Sequence, residues 1–147
     1  MQVRRLLDDE ISVVLAAGLD LSRLSGDTLR SPTGFYVVAW SDGAPLGHAH
    51  LALTSPPELQ DVLVLPAARG RGVGTALVDA VCSEARSLGA SVLRLDVSAS
   101  NTDAAGLYAG LGFTDVGLPP RHVRGPVRIR SGVIEVDDAL LTLERPL

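Results

Sequence analysis

Cysteine is all but missing from this chain. The single thiol, Cys82, cannot form an internal disulfide, and its apolar neighbours mark it as buried filler rather than a nucleophile. A chain without disulfides suits a reducing compartment, so a cytoplasmic protein is expected. Aromatic residues make up only 3% of the chain, which leaves Val, Leu and Ala to build the core. No apolar run is long enough to span a bilayer, and Met1-Gln2-Val3-Arg4-Arg5 is followed by no stretch of signal length. Basic residues are outnumbered, 13 against 17 acidic ones, for a net charge of −4. That balance argues against nucleic acid or a membrane surface as a partner. At 147 residues, one domain spanning 1–147 is expected, able to bury about two-thirds of its unfolded surface.

Against these absences stands one dense segment. Val62-Leu63-Val64-Leu65 is a short apolar run that stops at Pro66, and Ala67-Ala68-Arg69-Gly70-Arg71-Gly72-Val73-Gly74-Thr75 follows before a helical pattern begins. A glycine-rich turn opening a helix leaves backbone N–H groups free at the positive end of the helix dipole, which suits a phosphate or pyrophosphate. A P-loop would need a lysine after its last glycine, and a dinucleotide fingerprint counted from Gly70 would need glycine at Thr75. Neither fits; the pattern that does is Arg-x-x-Gly-x-Gly, at Arg69, Gly72 and Gly74.

About 30 residues on, Asn101 is followed seven residues later by Tyr108 and then by Leu111-Gly112-Phe113. Asn101 suits the loop before a helix, with Thr102 or Asp103 as candidate caps, and Gly112 suits the position that ends it. Gly106 and Gly110 inside this helix each cost on the order of 1 kcal/mol relative to alanine. Together the two segments resemble the GNAT N-acetyltransferase superfamily.

The resemblance implies an α/β fold, with a mixed, mostly antiparallel sheet splayed in the middle and flanked by helices. It implies acetyl-CoA as co-substrate, no metal, and an amine acceptor that is a small molecule or a peptide, with a homodimer as an open option. Arg69, Gly70, Arg71, Gly72, Val73, Gly74 and Thr75 would hold the pyrophosphate. Backbone groups of the Val62–Leu65 strand (Leu63, Val64 and Leu65 in particular) would orient the thioester. Asn101 would steady the pantetheine arm or the neighbouring backbone, and Tyr108 would protonate the departing thiolate. Glu58, at the start of the strand leading into the loop, matches the place of a general base. A non-catalytic acyl-CoA-binding module is the rival, and the presence of Tyr108 speaks for catalysis. Transfer to aminoacyl-tRNA is a weaker rival, with a steep salt dependence as its mark.

Other candidates come from the residues alone. Asp61 lies three positions after Glu58, an odd spacing that predicts opposite faces of a strand, so only one of the two should face a cleft. His48 and His50 share one face of the preceding strand, which could contact substrate or form a polar outer surface; nothing at ligand spacing completes a metal site with them. Pro119 to Arg130 carries four arginines and no acid; it reads as a solvated loop, a lid favouring an acidic group on the substrate, or a second contact to coenzyme phosphate. Asp137 and Asp138 could do the opposite and attract a cationic amine, but read first as a turn.

Strands are predicted at Gln2–Leu6, Phe35–Trp40, Leu46–Leu53, Glu58–Leu65, Val92–Val97, Phe113–Val116 and Val133–Glu144, with a hairpin turn at Ser41–Ala44. Helices are predicted at Asp8–Ala17, briefly before Pro32, at Gly72–Leu88 with its apolar stripe on Val73, Ala76, Leu77, Ala80, Val81 and Leu88, and after Asn101.

Overall fold

The computed structural model describes residues 1–24 and 34–147. Its elements are β1 (Gln2–Arg5), a 3-10 turn at Asp8–Glu10, α1 (Ile11–Ala16), β2 (Gly34–Ser41), β3 (Ala44–Ala52) and β4 (Glu58–Val64). A second 3-10 turn (Pro66–Ala68) leads into α2 (Val73–Ser87), β5 (Val92–Ser98) and α3 (Thr102–Gly110). The chain ends with β6 (Thr114–Asp115), β7 (Arg121–Ile129) and β8 (Gly132–Pro146). The brief helix expected before Pro32 falls outside the described residues.

The sheet runs β1-β2-β3-β4-β5-β8-β6, with β7 attached to β8. Its neighbours are antiparallel except β4 and β5, which are parallel and share a single register pair, Glu58 with Arg94. This makes a mixed sheet opened at its centre. Beyond that pair no ladder bonds link the two strands, and a cleft lies between them.

Both faces of the sheet are covered, which is why the apolar run Phe35–Trp40 shows no alternation. On one face α2 packs Val73, Leu77, Val78, Val81, Cys82 and Ala85 against Val37, Ala39, Ala49, Leu51 and Leu59. On the other, Ile11 and Val14 of α1, with Leu19, Leu21 and Leu24, cover Tyr36, Val38 and Trp40. Each fully buried aliphatic side chain contributes roughly 2 kcal/mol. Leu88, expected on the buried stripe, is instead 53% exposed, because α2 has already ended at Ser87 and the chain turns away through Gly89 at φ +85°. Between β2 and β3, Asp42 and Gly43 both take positive φ, the backbone of a two-residue hairpin turn whose twist matches its strands.

Two irregularities shape the cleft. His48 pairs with Leu63 and His50 with Gln60, so Asp61 and Val62 together oppose Ala49 across β3–β4. This bulge, with Asp61 at φ +50°, turns Asp61 onto the same face as Glu58 and Gln60. The opposite-face expectation for Glu58 and Asp61 is therefore wrong: it assumed an unbroken period of two. The second irregularity is the proline- and arginine-rich stretch, which is no solvated loop. Residues 121–129 form a nine-residue strand paired along its length with β8. The resulting ribbon stands off the main sheet, and Pro126 is tolerated on its outer strand, where an N–H is dispensable.

Candidate active site

The coenzyme-type loop is built as its glycines require. After the 3-10 turn, Gly70 and Gly72 take φ +75° and +78°, a region costly for residues with a Cβ. Gly72 is the N-cap of α2, with no side-chain cap and no acidic residue in the first turn. The first N–H groups of the helix have no carbonyl of their own to bond. A Cβ added at Gly70 or Gly72 would point into open space rather than into protein. An anion can therefore approach this backbone directly, and the residues present fit a pyrophosphate. A groove of about 290 Å3 runs beside the loop, bounded by Val64, Arg69, Gly70, Gly72, Val73, Gly74 and Thr75 on one side and Leu107, Tyr108 and Leu111 on the other.

Several expected coenzyme residues are not on that groove. Leu63 packs into the α1-side core, while Leu65 bonds Leu46 through its N–H and packs against both cores. Arg71 is exposed beside the groove rather than among its lining residues. Asn101, not Thr102 or Asp103, caps α3, its Oδ1 accepting the N–H of Ala104 at 3.0 Å. That bond accounts for the side chain by the neighbouring backbone. Val62, from the expected thioester strand, also lines the groove, as do Leu107 and Leu111, which were not singled out from sequence; Leu107 is 60% exposed.

Tyr108 stands edge-on to Phe113, with ring centroids 5.8 Å apart. Desolvation raises its pKa, so the phenol is protonated at neutral pH. Tyr108 and Val62 also line a second and larger cavity of about 540 Å3, on the far side of β4's bulge. Its floor carries Glu58, Gln60 and Asp61 from β4 and Leu95 and Asp96 from β5. Half-burial first, and then the negative Asp96, hold the Glu58 carboxyl above the usual carboxylate range. Asp96 itself is engaged by Arg121, Nη2 to Oδ2 at 2.5 Å, and by the Thr142 hydroxyl at 3.1 Å.

Asp61 is held from behind. The Tyr36 hydroxyl donates to its Oδ2 at 2.5 Å, the Ser22 N–H at 3.2 Å, and the Asp61 carbonyl accepts from His48 Nδ1 at 2.8 Å. His48 and His50 sit edge-on against Tyr36, with centroids 5.1 and 4.8 Å away. They are 0% and 2% exposed, so they form no polar outer face: α1 and the segment after it cover that side of β3. Burial pushes the His50 pKa down to about 4; Nδ1 meets Gln60 Oε1 at 3.2 Å, and Nε2 has no partner among the described residues. Asp20, His48 and Asp61 each offer a ligand atom within 4.8 Å of the others. In that cluster His48 Nδ1 donates to the Asp61 carbonyl, while Nε2 accepts the Leu21 N–H at 3.3 Å and lies 3.2 Å from Asp20 Oδ1.

The β7–β8 ribbon roofs the larger cavity with Val123, Val127, Ile129, Ile134, Val136 and Leu140. Its tip is tied across the cleft: Arg130 donates through its backbone N–H to Ser22 O at 3.0 Å and through Nε to Asp20 O at 2.7 Å. Asp137 bonds His122 on the outer face, while Asp138 accepts from Ser98 and from the Ala139 N–H, so neither aspartate is in a turn.

The family model for the acetyltransferase (GNAT) family matches residues 3–113. The chain belongs to the GNAT family. Among curated GNAT relatives, an aminoglycoside N(6')-acetyltransferase type 1 from Klebsiella aerogenes is 32% identical over 63% of this chain and 66% of its own length. A protein named IAA acetyltransferase from Azospirillum brasilense is 30% identical over 82% of this chain and 72% of its own. The chain spans 22%, 66%, 72% and 41% of the length of four curated relatives it matches. In three dimensions the GNAT fold is shared with a putative streptothricin acetyltransferase from Bacillus anthracis solved with acetyl coenzyme A. The TM-score there is 0.63 at 16% identity, covering 80% of this chain and 65% of the other. Among the described residues no helix is long and apolar enough to cross a membrane.

Proposed function

We propose that this chain is a single-domain N-acetyltransferase that uses acetyl-CoA to acetylate a primary amine by direct attack. The observation that carries this reading is the sharing of Tyr108 and Val62 between the glycine-loop groove and the acidic cavity. A donor held at the loop and an acceptor held over Glu58 would meet there. Backbone N–H groups of Gly72, Val73 and Gly74 would hold the pyrophosphate, with Arg69 at its edge. Bound acetyl-CoA supplies an acetyl group activated as a thioester.

The residues of the chain handle the protons. Glu58, with its raised pKa, takes one proton from the acceptor ammonium, directly or through water, and passes it to solvent. As the C–N bond forms and the C–S bond breaks, the nitrogen loses its second proton through the same carboxylate. Tyr108 delivers its hydroxyl proton to sulfur and is reprotonated from solvent. The balance is one amide, one free thiol and one proton released. Positioning of the two ligands across the open centre of the sheet supplies much of the rate.

The test is ligand-induced stabilisation combined with thiol release. Acetyl-CoA at about 100 times its Kd should add roughly 2.7 kcal/mol, with ATP and NADH adding much less, and free thiol should appear when an amine is supplied. Equal stabilisation by ATP would sink the coenzyme assignment. Stabilisation by acetyl-CoA without thiol release for any amine would leave a binding module instead.

A further inference from the structure

The roof and the floor of the 540 Å3 cavity differ in chemistry. Among the described lining residues, three carboxylates on the floor (Glu58, Asp61 and Asp96) are met by two guanidiniums, Arg23 and, from the start of β7, Arg121. Asp96 is already paired with Arg121, and Asp61 already accepts from Tyr36 and Ser22. Glu58 is hydrogen-bonded by the Gln60 side chain but sits in no ion pair among the described residues, so it is the carboxylate left to balance one ammonium. The roof is apolar. Along β7 the side chains alternate, with Val123, Val127 and Ile129 toward the cavity. His122, Arg124 and Arg128 occupy the alternate positions, with Ala139, Asp137 and Val133 opposite them on β8. Val127 pairs with Ile134, and Gly125 with Val136, so both strands contribute to one apolar lining. Ile134 remains 44% exposed, and Val127 and Ile129 are only partly buried: these side chains border open space rather than a filled core.

We propose that the acceptor is a monoamine on an apolar carbon skeleton, an alkyl- or arylalkylammonium, with its charged end at Glu58 and its skeleton under the β7–β8 ribbon. This rests on the transferase reading above. Continuity with Tyr108 commits the apolar lining to the acceptor, since the same cavity holds the proposed base and reaches the donor groove. A sugar or a peptide would set hydroxyls or amides against Val127, Ile129 and Ile134, where they would lose water without gaining partners. A polycation would bring its second and third charges toward Arg23 and Arg121, with no further unpaired acid among the described lining residues to receive them.

The experiment compares kcat/KM by thiol release for propylamine, butylamine, pentylamine and hexylamine. Controls are 2-(2-aminoethoxy)ethanol (hexylamine's length in polar form), spermidine, and a tripeptide with amino-terminal alanine. The expected result is a rise of about fourfold per methylene, the factor for burying one CH2 group, or roughly 60-fold from propylamine to hexylamine. The three controls should fall well below hexylamine. Calorimetry with CoA-saturated protein should show hexylamine binding tighter than propylamine by the same progression. Ile134→Asn should flatten the series while keeping the stabilisation by acetyl-CoA, and Val127→Thr, nearly isosteric, should do so more mildly. A flat series, or spermidine or the peptide as the best acceptor, overturns the proposal and leaves the transferase reading standing. No thiol release with any amine overturns both. A dimer that Ile134→Asn dissociates without changing the amine series would mean that a second copy covers this face, which also overturns the proposal.

Discussion

Removing the Tyr36 hydroxyl probes how the bulge of β4 is held. Tyr36 is 1% exposed, its hydroxyl donates to Asp61 Oδ2 at 2.5 Å and accepts the Arg23 N–H at 2.8 Å. Burial first and the Asp61 charge second raise the phenol's pKa far above its ordinary value, so it remains a donor at every accessible pH. Tyr36→Phe keeps the ring and its contacts with His48 and His50 but removes both bonds. A hydrogen bond to a carboxylate is worth about 1.5–3 kcal/mol and a neutral one about 1, so the expected loss is about 3 kcal/mol. Urea denaturation followed by circular dichroism should show this as a midpoint lowered by about 1.5 M with an unchanged slope. In thermal melts it should appear as a fall of about 10 °C. The partner test is Asp61→Asn, because asparagine tolerates the positive φ found there. If the Tyr36–Asp61 bond is the source of the loss, the double variant should fall short of the sum of the singles by at least about 1 kcal/mol. Additive losses, or a Tyr36→Phe cost below 1 kcal/mol, would refute the reasoning.

Four other outcomes follow. Gly72→Val should lose stabilisation by acetyl-CoA and lower the melting temperature of the free protein, because φ +78° costs about 1–2 kcal/mol for a residue with a Cβ; retention of the acetyl-CoA shift would contradict the loop assignment. Tyr108→Phe should keep acetyl-CoA affinity within a few-fold while lowering kcat about 10²-fold in single-turnover measurements; an unchanged chemical step would reduce Tyr108 to a packing residue. Since burial raises the Glu58 pKa, kcat/KM should climb with pH along a limb above the usual carboxylate range, and Glu58→Gln should erase that limb; its persistence would move the base elsewhere. His50, with its pKa lowered from 6.5 to about 4, stays neutral in the fold while the unfolded chain takes a proton below pH 6.5. Stability present above that pH is therefore lost as pH falls toward 4, by up to about 3 kcal/mol, and urea titrations at pH 7 and 4.5 should show a smaller loss for His50→Gln.

Where local stereochemistry governs, the sequence was a sufficient guide. Gly72, Gly89 and Gly112 each take the positive φ expected of a glycine at a helix end, and the interval from Asn101 to Tyr108 spans most of α3. What escaped reading depended on elements far apart in the chain. The burial of His48 and His50 is decided by α1 and the residues after it, although the unbroken apolar run of β2 already signalled cover on both faces. The bulge left a trace as well. Leu59, Val62 and Val64 pack on the α2 face, and the step of three between the first two is one residue too long for a regular strand. The ribbon hid behind its prolines, though Val123, Val127 and Ile129 keep a period of two through them. Asp96 and Arg121 could not be paired from sequence, because that contact requires knowing that β7 returns across β5.

Strand β8 belongs to two neighbourhoods at once. Its last residues, 140–146, are laddered to β5 inside the core, while 132–140 carry the ribbon. The family match ends at Phe113, before either half of the ribbon begins. The two halves of β8 therefore answer to different constraints. Val127, Ile134 and Val136 lie outside the two buried core clusters, whereas Leu77 is fully buried in one of them and Gly72 opens α2. On the transferase reading, substitutions on the ribbon should change amine preference at little cost in folding, while those at the glycine loop should change coenzyme binding whatever the amine.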